Sequence, residues 1–152
     1  MKRARLLIAG AWVIHAVAWF LPVITDGVRF PNGLPGWQAF QTALRSARGY
    51  QAGTFSGIGT VAATLSAVTT IFFILISPWV VLRGSHSVRR VSAWIAAASF
   101  VLDGHWYFFY GRGDSGLMIG YFLWWFSFLV LAIGLFDLAG RRGAASSASD
   151  AG

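Results

Sequence analysis

The chain has 152 residues, of which 57% are hydrophobic and only 11% are charged, and it contains no cysteine. A soluble domain carries about 25% charged residues, so this composition predicts an integral membrane protein and excludes disulfides and cysteine-based metal sites. The net charge of +7 comes from basic residues at the ends of apolar segments rather than on one face, so no nucleic-acid partner is expected.

Four apolar segments are each long enough to cross about 30 Å of hydrocarbon as a helix. They cover about residues 6–24, 55–82, 91–110 and 117–138. The predicted fold class is therefore all-α, an integral membrane bundle of four transmembrane helices within residues 1–142. The small, polar tail at residues 143–152 has little to bury and is expected to be disordered.

The first segment has two interpretations. Its basic start and the triplet Ala16-Val17-Ala18 are also typical of a cleavable signal peptide. Against that, the apolar run continues through Trp19 and Val23 instead of becoming polar. We therefore expect an uncleaved first span.

Within the long first connection, residues 25–53, the sequence LPGWQAFQTALRSAR predicts a short amphipathic helix over about residues 36–48. Trp37, Phe40 and Leu44 fall on one helical face, and polar residues at the same spacing fall on another. Such a helix lies well at a membrane interface. It could act as a lid over the spans or as a docking surface formed by these three apolar residues.

The basic residues predict the orientation of the chain in the membrane. Eight of them fall on one side of the four predicted spans, and the other four fall on the opposite side. The side with eight is expected to be cytoplasmic, which places both termini inside. The first group is Lys2, Arg3, Arg5, Arg83, Arg89, Arg90, Arg141 and Arg142, and the second is Arg29, Arg45, Arg48 and Arg112.

Three ionisable residues lie deep in the predicted spans: His15 in the first, and Asp103 and His105 in the third. A charged group inside a membrane is costly and needs a partner. Successive helical residues turn by about 100°, so Asp103 and His105 cannot face the same neighbour unless Gly104 loosens the helix. We expect Asp103 to be buried and hydrogen-bonded, to His15 or to a group on the fourth span.

Four interpretations of His15, Asp103 and His105 remain open at this level. They could form a structural polar clasp between helices, or a proton or ion relay in a small transporter. The two histidines could ligate haem b, as in membrane cytochromes built on helix bundles. All three residues could converge on a metal or an enzymatic site, although a catalytic metal usually needs three protein ligands.

The stretches LPGWQAF and IGYFLWWFSFLVLAIGLF resemble small bacterial membrane proteins of four spans to which no activity is assigned. The resemblance implies a bacterial cytoplasmic membrane, with no functional residues to carry over. No nucleotide-binding loop, catalytic nucleophile or carboxylate pair is visible in the sequence. We therefore expect no catalytic residue, no bound metal and no cofactor apart from the haem alternative. The expected function is that of a non-enzymatic membrane protein that contacts the lipid bilayer and associates with a protein partner or with itself.

Overall fold

The chain is mostly helical, because an apolar sequence in hydrocarbon can satisfy its backbone groups only within helices or closed barrels. The computed structural model describes residues 2–25, 27, 30–48, 57–110 and 116–149. In chain order its elements are α1 (Lys2–Phe20), β1 (Pro22–Ile24), β2 (Leu34–Pro35), α2 (Gly36–Arg48), α3 (Gly57–Ile71), a π-helical turn (Phe72–Ile76), α4 (Ser77–Arg83), α5 (His86–Asp103), α6 (His105–Tyr110) and α7 (Ile119–Ser149).

Three helical stretches in the described part of the chain are long and apolar enough to cross a membrane. They are Lys2–Phe20, Thr60–Arg83 and Ile119–Gly140. They correspond to the first, second and fourth predicted spans. Residues from α1, the π-helical turn, α4, α5 and α7 share one hydrophobic core, so α5 packs with the three span-length helices.

The packing face of α1 is set by its sequence spacing. Its buried side chains follow each other at intervals of four and three residues, which places them on one stripe of the helix. They are Ala4, Ile8, Ala11, His15 and Ala18. Leu6 and Phe20 lie outside this stripe and are 72% and 80% exposed, which suits a helix that contacts lipid.

α1 lies antiparallel to α7 at close range. Ile8 lies opposite Gly134, and His15 lies opposite Ser127, along the two helices. A Cβ atom at position 134 would lie 2.8 Å from Ile8 Cγ1 and 3.3 Å from the Ile8 backbone nitrogen. Only glycine fits this contact without displacement, as expected where membrane helices gain contacts by close approach.

The first predicted span, residues 6–24, is too long at its C-terminal end. α1 ends at Phe20, and the chain continues as β1. Pro22 has no N–H to donate and disfavours a helical backbone at the preceding residue, so the helix ends here. β1 pairs with β2, and backbone bonds of Thr25 and Met118 join it to the segment before α7. We call this end of the molecule, which carries β1, β2 and α2, the capped end.

The second predicted span is a continuous helix with one wide turn. The Ser77 N–H bonds the carbonyl of Phe72, five residues earlier, which joins α3 to α4 through the π-helical turn. Pro78 follows directly and cannot donate to the carbonyl one turn before it, so a wider turn accommodates its ring. The Ser77 hydroxyl donates to Phe73 O at 2.6 Å and accepts the Trp12 indole N–H at 3.1 Å, which ties this turn to α1.

A buried arginine joins α4 to α5. α5 begins after Ser85, whose hydroxyl accepts a backbone N–H from its first turn. Arg89 is only 4% exposed, and it donates to the carbonyls of Val80 and Val81 at 3.4 and 3.2 Å. These carbonyls belong to the last turn of α4, where the helix dipole is negative and a cation is favourable. The Arg89 side chain therefore caps α4.

The third predicted span, residues 91–110, is divided at Gly104 into α5 and α6. α5 is not among the three span-length apolar helices, so the described structure supports three spans and leaves the fourth as a proposal. The polar N-terminal turn of α5, with Arg89 and Arg90, limits its apolar length.

The last helix is longer than the sequence suggests. α7 continues to Ser149 and so includes residues 143–149, where disorder was expected. Alanine is the best helix former, and extending an existing helix needs no new nucleus. The predictions for residues 55–56 of the second span and residues 150–152 of the tail lie outside the described residues.

Candidate functional site

The centre of the site is Asp103, at the last position of α5, whose side chain is fully buried. Ser66 donates to Asp103 Oδ1 at 2.8 Å, and Thr69 Oγ1 lies 2.9 Å from Oδ2. Ser66 and Thr69 are three residues apart and therefore lie on the same face of α3. Both carboxyl oxygens of Asp103 therefore contact hydroxyl groups of the same helix, α3.

Three aromatic side chains donate into the same region. Their bonds are Trp106 Nε1 to Ser66 Oγ at 2.8 Å, Tyr121 Oη to the Asp103 carbonyl at 2.9 Å, and Trp124 Nε1 to Thr70 Oγ1 at 3.2 Å. We call Asp103, the three hydroxyl residues of α3 and these three aromatic residues the polar cluster. It joins α3, α5, α6 and α7 by hydrogen bonds.

The sequence predicted Asp103 as buried and hydrogen-bonded, and this is confirmed. It missed the hydroxyl side chains that bind it. Ser66, Thr69 and Thr70 share one helical face within an apolar segment, a pattern that could have marked α3 as the neighbour of an intramembrane carboxyl.

Gly104 follows the last residue of α5 and lies close to the Trp125 side chain of α7. A Cβ atom at position 104 would lie 2.9 Å from Trp125 Cζ2, so a larger residue would displace that ring. The Trp125 indole N–H donates to Phe100 O at 2.6 Å, the same carbonyl that accepts the Gly104 N–H at 3.2 Å. The helix is interrupted at Gly104, where the sequence allowed a looser helix, and the close Trp125 ring explains why glycine occupies this position.

His15 lies in a separate, aromatic environment. Its ring is 3% exposed, stacks on Phe73 with centroids 4.0 Å apart, and meets Phe128 edge-on at 5.8 Å. His15 Nδ1 lies 2.9 Å from Ser127 Oγ, and Ser127 Oγ donates its single hydrogen to Trp124 O at 2.6 Å. Nδ1 must therefore carry the hydrogen of this bond. His15 Nε2 is buried and has no hydrogen-bond partner among the residues that the structure describes.

Of the two partners expected for Asp103, His15 is wrong. His15 bonds α7 through Ser127, whereas the Asp103 carboxyl bonds α3. Asp103 does contact the fourth predicted span, but through its backbone carbonyl and Tyr121. The position of Asp103 around the helix axis points its side chain toward α3 instead of α1. The similar depths of His15 and Asp103 along their spans carry no information about this direction.

His105 is directed away from Asp103. It begins α6, is partly exposed, and its Nδ1 contacts Leu102 O of the preceding turn. The structure thus places His15, Asp103 and His105 in three different environments. In the part of the chain that the structure describes, no three His, Cys, Asp or Glu side chains converge as a metal site.

A cavity of about 200 Å³ opens beside the polar cluster at the capped end. α2 forms its roof through Ala39, Phe40 and Ala43, and its inner wall comprises α3, α6 and α7. Among the residues that the structure describes, no charged side chain and no histidine lines it. Ser66 lines the inner wall, and its Oγ also donates to Asp103. The Ser66 hydroxyl group therefore lies between the cavity and the Asp103 carboxyl group.

The amphipathic helix predicted over residues 36–48 is confirmed as α2. Phe40 faces inward, lines the cavity and lies 5.4 Å from the Trp19 ring, while Leu44 is partly buried. Trp37 remains 38% exposed, so the three predicted docking residues do not share one environment. Arg45 is exposed, as its face of the helix predicts.

The span-length apolar helices place this chain in the class of helical membrane proteins. Comparison with protein-family models, with curated proteins and with solved structures finds no match to this chain. The resemblance to four-span bacterial proteins therefore remains an expectation, and the function is argued from the geometry.

Proposed function

We propose that this chain is a small, non-enzymatic integral protein of the bacterial inner membrane that binds an apolar partner molecule within the bilayer. The cavity beneath α2 carries this proposal. Binding sites for small molecules are mostly apolar concavities with a few placed polar groups, and this cavity combines an apolar lining with hydroxyl and indole groups. A protein partner, or a second copy of the chain, would use the exposed side of α2 around Trp37.

We further propose that α5 and α6 together form a fourth span. α5 runs antiparallel to α7, with Trp94 against Phe136 near one end and Asp103 against Tyr121 near the other. The distance from 121 to 136 along a helix is about 22 Å, most of the hydrocarbon thickness. Along the same length α5 exposes apolar side chains, such as Val101 at 76%, which suits contact with lipid.

Reporter fusions test the fourth span directly. With four spans, a reporter after Ser85 and one after residue 152 work only in the cytoplasm, whereas one inserted after residue 113 works only outside. The eight basic residues on the first side support this orientation. If the fusions after residues 85 and 113 report the same side, α5 and α6 do not cross the membrane.

Filling the cavity tests the binding proposal. Ala67 is 2% exposed and lines the cavity on α3, so Ala67→Leu places a larger side chain in the binding volume. Val68→Leu, at the next position and 55% exposed, is the matched control. The probe is a photoreactive alkane added to the protein in lipid nanodiscs. We expect saturable labelling of α2 and α3 peptides that Ala67→Leu abolishes and Val68→Leu preserves. Labelling that Ala67→Leu leaves unchanged would place the alkane elsewhere.

A second function, proton transfer, is supported by the hydrogen count around Asp103. Thr69 Oγ1 lies 2.9 Å from both Ser66 O and Asp103 Oδ2, and it has only one hydrogen to donate. Both contacts are hydrogen bonds if Asp103 Oδ2 carries a hydrogen and donates it to Thr69. A carboxyl that holds a proton beside a cavity is the element that a proton relay requires.

Haem b ligation by His15 and His105 has less support from this geometry. The His15 ring is stacked on Phe73, and the cavity is lined by neither histidine. An ultraviolet–visible spectrum of the purified protein tests this alternative, because a Soret band would show that haem is bound.

A further inference from the structure

The hydrogens of the polar groups on the inner wall of the cavity are already used within the protein. Five hydroxyl and indole groups form this wall: Ser66, Thr70, Trp106, Tyr121 and Trp124. The three aromatic donors bind oxygen atoms of the polar cluster, as described above. Ser66 donates to Asp103 Oδ1, and Thr70 donates to Ser66 O at 2.9 Å. Each of the five groups has one hydrogen, so these five described groups have no further hydrogen to offer a ligand.

What remains on this wall is hydrogen-bond accepting capacity. A hydroxyl oxygen has two lone pairs. At Thr70 the Trp124 N–H occupies one of them, and no other described residue donates to the second. On this wall, a ligand that carries only acceptor atoms, such as an ester, a ketone or an anion, would therefore meet oxygen atoms without an intervening hydrogen. A ligand that donates a hydrogen could bond to the second lone pair of Thr70 Oγ1.

The size of the cavity and the charge of its lining restrict the class of ligand further. Its volume of about 200 Å³ is somewhat larger than the roughly 150 Å³ cavity that holds benzene in an engineered protein, and it accommodates one chain end rather than two chains. Among the described residues no charged side chain lines it, so these residues offer an ammonium group no counter-charge. An uncharged donor such as a hydroxyl group fits both conditions.

We propose that the cavity binds a single-chain apolar alcohol, whose hydroxyl group donates its hydrogen to Thr70 Oγ1. This inference rests on the proposed function, because it names the class of molecule that the cavity takes. α2 covers the apolar chain through Phe40, and Ala67 of α3 leaves room for it.

The test uses the full chain in nanodiscs with three photoreactive probes of equal length: an alkan-1-ol, its methyl ether and the alkane. The alcohol is expected to label the cavity peptides at a concentration roughly fivefold lower than the ether or the alkane, as one buried hydrogen bond predicts. If no probe labels saturably, the proposed binding function itself fails. If all three label equally, the cavity binds apolar molecules and the alcohol inference alone is wrong.

A substitution at Thr70 sharpens the test. Thr70→Val keeps the shape of the side chain, removes the acceptor and frees the Trp124 N–H. The preference for the alcohol should then disappear, because the freed indole N–H can donate to the oxygen of either probe and Thr70 no longer accepts from the alcohol. Thr64→Val is the matched control, since the Thr64 hydroxyl bonds Thr60 O in its own helix and does not line the cavity. An alcohol preference that survives Thr70→Val overturns the assignment of Thr70 as acceptor, provided that circular dichroism shows an unchanged fold.

Competition distinguishes two sources of the hydroxyl group. An unlabelled single-chain alcohol should displace the alcohol probe, whereas a two-chain glycerol diester with one free hydroxyl should not, because the cavity admits one chain. Equal competition by the diester would overturn the single-chain assignment.

Discussion

Replacement of Asp103 by leucine or asparagine is the most informative test of the polar cluster. Asp103→Leu removes the acceptor of the Ser66 hydroxyl, whereas Thr69 can still donate to Ser66 O. One orphaned buried donor costs about 1–3 kcal/mol, and interhelical hydrogen bonds in membranes contribute about 0.6 kcal/mol each. We therefore expect Asp103→Leu to lower the free energy of unfolding by about 1–3 kcal/mol.

Asp103→Asn should cost less than about 1 kcal/mol, because its carbonyl accepts from Ser66 and its amide N–H donates to Thr69 Oγ1. The asparagine side chain has the shape of a neutral aspartic acid and can carry its hydrogen at the same position. If the chain transfers protons, this variant loses transport while its fold remains intact. If Asp103 is only a structural clasp, the asparagine variant keeps whatever activity the protein has.

The assay is reversible unfolding in mixed micelles, followed by tryptophan fluorescence. Ser99→Ala is the matched control on α5, because the Ser99 hydroxyl bonds only Ile95 O in its own helix. The quadruple variant Asp103→Leu, Ser66→Ala, Thr69→Val, Trp106→Phe removes the carboxyl, both hydroxyl groups and the indole N–H that Ser66 accepts, so it should recover part of the stability that Asp103→Leu loses. An unchanged stability in Asp103→Leu, or additive losses in the quadruple variant, would refute the reasoning.

Three further predictions concern the helix contacts. Arg89→Met should lower the free energy of unfolding by about 1–3 kcal/mol, because the hydrogen bonds of Arg89 to the end of α4 are lost. Arg90 is exposed, so Arg90→Met should change the stability little. Equal effects of the two substitutions would contradict the capping role of Arg89. Gly134→Ala should destabilise by about 1–3 kcal/mol through overpacking against α1, whereas Gly140→Ala, with nothing within 4 Å of its Cβ position, should not; both are measured by the same unfolding assay. Nitrogen-15 magnetic resonance should find the hydrogen of His15 on Nδ1, because Ser127 has already donated its own hydrogen, and a hydrogen on Nε2 would contradict that count.

The sequence by itself determined the class of protein and most of its helices. Length and apolarity are properties of a segment alone, so the segments now seen as α1, α3–α4 and α7 could be predicted as spans. The amphipathic spacing of Trp37, Phe40 and Leu44 likewise predicted α2. The burial of Asp103 followed from the cost of exposing a carboxyl to lipid.

Only the tertiary structure decided which groups meet. Depth along a span can be read from residue numbers, and on that basis His15 was a reasonable partner for Asp103. The partner depends instead on the rotation and the neighbours of each helix, and these placed Ser66 and Thr69 beside the carboxyl and His15 beside Ser127. The cavity has the same origin, because it lies between elements that are distant in sequence and leaves no local pattern.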